Sequence, residues 1–172
     1  MPKIIRGGAI VEDHWVTLGA DAGLPIPSLN EAPQLLVPLG AWQARRAELI
    51  GRGEQLGLWL QTDDEPATIG ADIALFSVIA IHFAKFTDGR GYSLARLLRD
   101  RYGYRSEIRA VGDVLQDQLF YLKRSGFNAF AIRADKNIDA ALKSLNDFSE
   151  TYQGAWDQPQ PLFKRRQTSA TI

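Results

Sequence analysis

From Leu35 onward the sequence repeats one unit, a short apolar run followed by a segment of helical period. That alternation restricts the chain to an α/β architecture built from βα units. The apolar runs predict strands near Leu35–Leu39, Leu58–Leu60, Val78–Phe83, Glu107–Val111 and Ala129–Arg133. Helices are expected at Ala41–Arg52, near Ile69–Phe76, at Ser93–Tyr102, at Val114–Ser125 and at Ile138–Tyr152. The run VIAIHFAKF is apolar for most of its length rather than alternating, as expected for a central strand covered on both faces. Parallel strands joined by right-handed crossovers leave two arrangements, a doubly wound open sheet or a curled sheet like part of a TIM barrel. Periodicity does not separate them. Either way a short parallel sheet has two unpaired edges, which predicts a homodimer.

The glycine pair in IIRGGAIVE predicts an N-terminal β-hairpin, and GADAGLPIPSLNEAP after it reads as an irregular connector. The organisation is then hairpin and connector over 1–30, an α/β domain over 31–153 and a tail over 154–172. The tail is expected to be mobile unless Trp156 and Phe163 dock. Asp113 is the expected N-cap of the helix from Val114, with Gln116 answering it and Gly126 ending the helix. Asn137 is expected to cap the last helix, whose stripe Ile138, Ala141, Leu142, Leu145, Phe148 and Tyr152 reads as core packing.

At 172 residues the chain suits one domain that buries about 70% of its unfolded surface. Lysine plus arginine total 20, as do aspartate plus glutamate, so no net charge draws the chain to nucleic acid or to an anionic membrane. Neither an eighteen-residue apolar run nor a signal-peptide pattern is present, and a cytoplasmic location is the expectation. Cysteine is absent, which excludes disulfides, thiolate catalysis and cysteine-ligated zinc or iron–sulfur clusters within this sequence. His14 and His82 are the only imidazoles and read as structural; a metal site on them would need the fold to bring them together. No metal and no cofactor is assigned. The standard dinucleotide, P-loop, zincin and hydrolase motifs are missing, although a flavin needs no such fingerprint.

In either arrangement the carboxyl ends of the strands share one edge, where ligands of α/β proteins bind. That edge collects Asp63 and Asp64, then Thr87–Ser93, then Gly112 and Asp113, then Arg133 and Asp135. The loop DGRGYS is its sharpest element. Gly89 and Gly91 let backbone approach a ligand, Arg90 offers a planar fork to an oxyanion, Tyr92 adjoins them and Ser93 stands at a helix start. The bland alternative is that Asp88 pairs with Arg90 to hold the turn, with the glycines supplying positive φ. Arg109 lies inside a strand and needs a carboxylate, for which Asp88, Asp113 and Asp117 are the expected partners, as a structural ion pair or as a substrate contact. The candidate ligand-binding set is therefore Asp88, Gly89, Arg90, Gly91, Tyr92, Ser93, Arg109, Gly112, Asp113 and Asp117, with no residue assigned a catalytic role.

The segment FTDGRGYSLARLLRDRYGYRSEIRAVGDVLQDQLFYLKRSGFNAF resembles the core of the bacterial domain of unknown function 934 family. The resemblance is close over Phe86–Phe130 and less specific over Leu35–Phe83 and the final helix. It rests on Asp88, Gly89, Arg90, Tyr92, Ser93, Arg99, Arg109, Gly112, Asp113, Asp117, Gln118, Arg124, Gly126 and Phe127. Relatives often carry cysteine where this chain has Ser125, so no thiol stands there. Members are commonly encoded beside the sulfite reductase haemoprotein and labelled a probable oxidoreductase of sulfite reduction. The resemblance thus implies an accessory protein of sulfite reduction in sulfur assimilation, with sulfite reductase or another enzyme of that assimilation as partner. A small oxyanion at the carboxyl edge is the expected ligand. The alternatives are a flavin-assisted oxidoreductase or other small-molecule enzyme, and a structural adaptor without a ligand.

Overall fold

The structure, a computed structural model, describes residues 2–19, 25–28 and 30–169, with side chains through Arg166. Residues 20–24 and Leu29 of the connector, and the last three residues of the tail, lie outside the described residues. The strands are β1 (Lys3–Arg6), β2 (Ala9–Glu12), β3 (Val16–Thr17), β4 (Leu35–Pro38), β5 (Leu56–Gln61), β6 (Val78–Phe83), β7 (Glu107–Gly112) and β8 (Ala129–Phe130). The helices are α1 (Leu39–Leu49), α2 (Arg90–Asp100), α3 (Leu119–Ser125), α4 (Ile138–Ser144) and α5 (Leu162–Ser169).

All eight strands form one sheet in the order β2-β1-β8-β7-β6-β5-β4-β3. Strands β4 to β8 pair in chain order and in parallel, so the order never reverses and the sheet curls into a half-barrel. The doubly wound alternative is thereby set aside. The sheet is also mixed rather than purely parallel. Gly7 and Gly8, with φ of 59° and 80°, turn the chain back so that β1 runs antiparallel to β2, and β1 then docks antiparallel on β8.

Alternation along the strands divides the sheet into two faces. Leu35, Val37, Leu58, Leu60, Ile79, Ile81, Phe83, Ile108 and Phe130 pack with helix residues such as Leu94, Leu98, Leu119, Leu122 and Ala141 in the main core. The opposite, inner face carries Leu36, Val78, Ala80 and Val111, against which Trp15 and Trp59 pack. Between β2 and β3 the chain passes from the β8 side to the β4 edge. The segment Asp13–Trp15 therefore crosses the inner face, where Trp15 approaches Gly57 so closely that a Cβ there would meet its ring at 2.9 Å.

Several element ends differ from expectation. Asp113 does not cap the following helix: a 3-10 turn at Gln116–Gln118 precedes α3, and Gln118 Oε1 accepts from the Leu115 N–H at 3.0 Å. Strand β8 stops at Phe130, after which Ala131 N–H still reaches Ala110 O but Arg133 N–H turns to Val114 O. Helix α4 ends at Ser144, whose hydroxyl donates to Ala141 O and Gln116 O, so Phe148 and Tyr152 fall outside the stripe and are exposed. Helix α2 begins at Arg90 rather than Ser93, and the segment near Ile69–Phe76 forms 3-10 turns. The Asn137 cap and the Gly126 stop, with φ of 112°, are as expected. In the tail Trp156 docks on Arg99, whereas Phe163 is 51% exposed. No helix among the described residues is long and apolar enough to cross a membrane.

Candidate functional site at the carboxyl rim

The parallel strands β5 to β8 deliver their following turns to one edge, and side chains there knit neighbouring turns together. Thr62, just after β5, donates its hydroxyl to Asp88 Oδ2 at 2.6 Å. Asp88 in turn accepts from the Arg90 amide at 3.1 Å and from Arg90 Nε and Nη2 at 2.9 and 2.7 Å. One carboxylate thus starts α2, grips the guanidinium and ties the β6 turn to the β5 turn. After β7, Asp113 accepts the Phe86 N–H at 3.0 Å and Arg133 Nη1 at 3.0 Å, while Arg133 forks onto Asp135 at 2.8 and 2.7 Å. Gln118 Nε2 donates to Phe86 O at 2.7 Å. Phe86 is therefore pinned by both backbone groups, and the residue is 49% exposed.

The fold gathers Asp88, Arg90, Gly112 and Asp113 at this rim, and it gives the other candidates different work. Gly89 has an ordinary φ of −71° and an added Cβ would meet nothing, so neither positive φ nor close approach explains it. Gly91 faces the core, where a Cβ would strike the Phe83 ring at 2.5 Å. Tyr92 lies half-buried edge-on to Phe83, with ring centroids 5.7 Å apart. Ser93 is exposed within α2 rather than at its start. Asp117 is exposed in the 3-10 turn and makes no hydrogen bond or ion pair among the described residues. Arg109 leaves the rim altogether: it lies on the inner face, and its carboxylate partners are Asp13 and Glu107 rather than Asp88, Asp113 or Asp117. The reason is direction, since a residue in the amino-terminal half of β7 cannot reach turns beyond its carboxyl end.

Electrostatics reinforce the pairing. The Arg90 guanidinium, aided by the Thr62 hydroxyl, holds the Asp88 carboxyl well below the usual range. Arg133 does the same for Asp113, with help from the Phe86 amide, and for Asp135. Asp64 behaves oppositely, because burial raises it despite a 2.7 Å hydrogen bond from the Gln61 amide. A depressed folded-state value contributes stability that is complete above the unfolded value of about 4 and lost as pH falls through the folded one. A carboxyl NMR titration is thus expected to find Asp88, Asp113 and Asp135 still ionised where Asp64 is already protonated. Coincident titration of all four would show that the rim pairs do not persist in solution.

Residues 57–163 match the family described as Bacterial protein of unknown function (DUF934). The chain belongs to this family. No curated protein and no solved structure matches it. The family span runs from β5 into the start of α5 and so contains the whole rim, while Asp13 and the hairpin lie outside it.

Within that span the fold also gives His82, read from the sequence as a structural imidazole, its partners. His82 points from β6 to the inner face, its Nδ1 2.9 Å from Gln61 Oε1 and its ring 5.2 Å from the Trp59 ring. The only signal in the sequence was alternation, since Trp59, Gln61 and His82 occupy inward positions whereas Leu58, Leu60, Ile81 and Phe83 face the helices. Among the described residues no group of three or more histidine, cysteine, aspartate or glutamate side chains has metal-binding geometry.

Proposed function

We propose that this family member is an accessory protein of sulfite reduction in sulfur assimilation that works by docking to sulfite reductase through the carboxyl rim. The family resemblance supplies the link to sulfite reduction. The observation that carries docking is Phe86, a half-exposed aromatic residue on a backbone fixed at both its N–H and its C=O, in the same turn as the Asp88–Arg90 pair and bonded through its N–H to the Asp113 of the Asp113–Arg133 pair. A rigid aromatic anchor beside charged pairs has the anatomy of an interface hot spot. Both rim arginines already hold carboxylates, so a protein surface that completes their remaining donors fits better than a free small anion.

Phe86→Ala is expected to weaken binding of purified sulfite reductase by about 2 kcal/mol, roughly thirtyfold, while leaving folding intact. Arg90→Ala, whose side chain is 62% exposed, should melt close to wild type yet also weaken the complex. In the host both variants should slow growth on sulfate and not on cysteine. Wild-type binding and growth in both variants would overturn the docking role of this rim.

A further inference from the structure

Arg99 and Arg109 are the most enclosed arginines among the described residues, and they are neutralised differently. Arg109 is 1% exposed and lies between two carboxylates. Arg99, on α2, is 0% exposed and contacts no carboxylate among the described residues. Its Nε donates to Gly126 O at 2.9 Å and its Nη1 to Tyr104 O and Ser106 O, both at 2.8 Å. Its Nη2 has no hydrogen-bond partner among the described residues. Carbonyl oxygens satisfy donors but do not cancel a full charge, and buried charges are ordinarily paired. Burial accordingly pushes the Arg99 guanidinium down to about 10, and nearby Arg105 adds repulsion.

Arg99 lines a groove of about 600 Å³ between the second half of α2 and the strap Gly154–Pro161. Arg96, Asp100, Arg105 and Trp156 share the lining. Arg96 is already paired with Asp100. Arg105 is exposed and makes no hydrogen bond or ion pair with any described residue. The Trp156 ring covers the Arg99 guanidinium at 4.5 Å, and the strap is tethered through Trp156 N–H to Arg124 O at 3.1 Å. Because α2 runs from the end of β6 to the start of β7, this groove opens at the amino side of the sheet, away from the rim.

We propose that the groove is a binding site for a small oxyanion, held between Arg105 and the open Nη2 of Arg99, with Trp156 as a strap that swings aside to admit it. Two guanidiniums, one without an acidic partner and one with an unfilled donor among the described residues, supply forked donors that sulfite, sulfate and phosphate all match. The indole closes the low-dielectric side of the site, where such bonds are strongest. This inference is independent of the docking role of the rim.

The test uses the full chain titrated with sulfite, sulfate or phosphate at constant ionic strength set with chloride, read by tryptophan fluorescence and thermal melting. At least one of the three anions should give a saturable fluorescence change and a higher melting temperature. Trp156→Phe should abolish the fluorescence change while retaining the melting shift. Arg105→Ala, at an exposed position, should fold normally and raise the apparent Kd at least tenfold. Arg99→Lys, which keeps a charge but loses the fork, should also bind more weakly. No saturable response to any of the three, or one unchanged in Arg105→Ala, overturns the site. A response abolished by Arg90→Ala and untouched by Arg105→Ala overturns it too, and places the anion at the rim. Survival of the fluorescence change in Trp156→Phe overturns the strap.

Discussion

Replacing Arg109 with alanine should destabilise the fold by about 3–5 kcal/mol, the usual consequence of removing one partner from a buried ion pair. The guanidinium is 1% exposed and bridges Asp13 Oδ1 at 2.8 Å and Glu107 Oε1 at 2.7 Å, carboxylates whose side chains are themselves only 15% and 12% exposed. Without it two partly enclosed negative charges face each other on the inner face, with Arg6 near Glu107 only at 3.7 Å. For a chain of this size about 2–4 °C accompanies each kcal/mol, so melting should fall by roughly 6–20 °C. The hairpin segment is held across the sheet by Asp13, and its protection from proteolysis should fall as well. Combining Arg109→Met with Asp13→Asn and Glu107→Gln should recover much of the loss, because neutral side chains remove the repulsion and methionine refills the volume. Chemical denaturation measures both effects. A loss under about 1 kcal/mol for Arg109→Ala, the size of an exposed pair, would mean that water already screens this site.

That ion pair marks where sequence reasoning stops. The need of Arg109 for a carboxylate was legible, since a charge inside an apolar strand has few other solutions. Its partner was not, because Asp13 lies 96 residues away and reaches it only once the hairpin has docked on β8 and the chain has crossed the inner face. The Asp88–Arg90 pair, two residues apart in a turn, was legible for the opposite reason. Asn137 and Gly126 mark helix ends through bonds within their own turns, and the structure keeps them. Asp113 had an equally good local role and lost it, because the Phe86 amide and Arg133 compete for the same carboxylate. The stripe running on to Phe148 and Tyr152 misled in another way, since hydrophobic spacing persists past the point where the backbone leaves the helix. Curl against double winding was undecidable from periodicity, as both use the same βα units and differ only in strand order. Arg99 looked like any basic residue on an amphipathic helix, and that it meets carbonyl oxygens and no carboxylate among the described residues becomes visible only in the packed fold.

Gly112 is where stability and the rim meet, and Gly112→Ala should damage both. This residue ends β7 with a φ of 93°, which costs an L-residue about 1–2 kcal/mol. An added Cβ would also sit 2.4 Å from Phe83 O and 2.7 Å from His82 Cδ2. The first of those atoms is backbone in the neighbouring strand and cannot rotate away, so overpacking adds about 1–3 kcal/mol more. A total of about 2–5 kcal/mol is expected in chemical denaturation. Relief requires Phe83 O to move, yet that oxygen accepts the Asp113 N–H at 2.8 Å. Its displacement would turn the Asp113 carboxylate away from the Phe86 amide and Arg133, releasing the aromatic anchor of the rim. Gly89→Ala is the matched control, because its φ of −71° and empty surroundings accept a methyl group without strain. The Phe86 amide resonance should therefore shift strongly in Gly112→Ala and scarcely in Gly89→Ala. Wild-type stability in Gly112→Ala, with the Phe86 resonance unmoved, would show that β7 can relax independently of β6 and that the rim does not depend on this close approach.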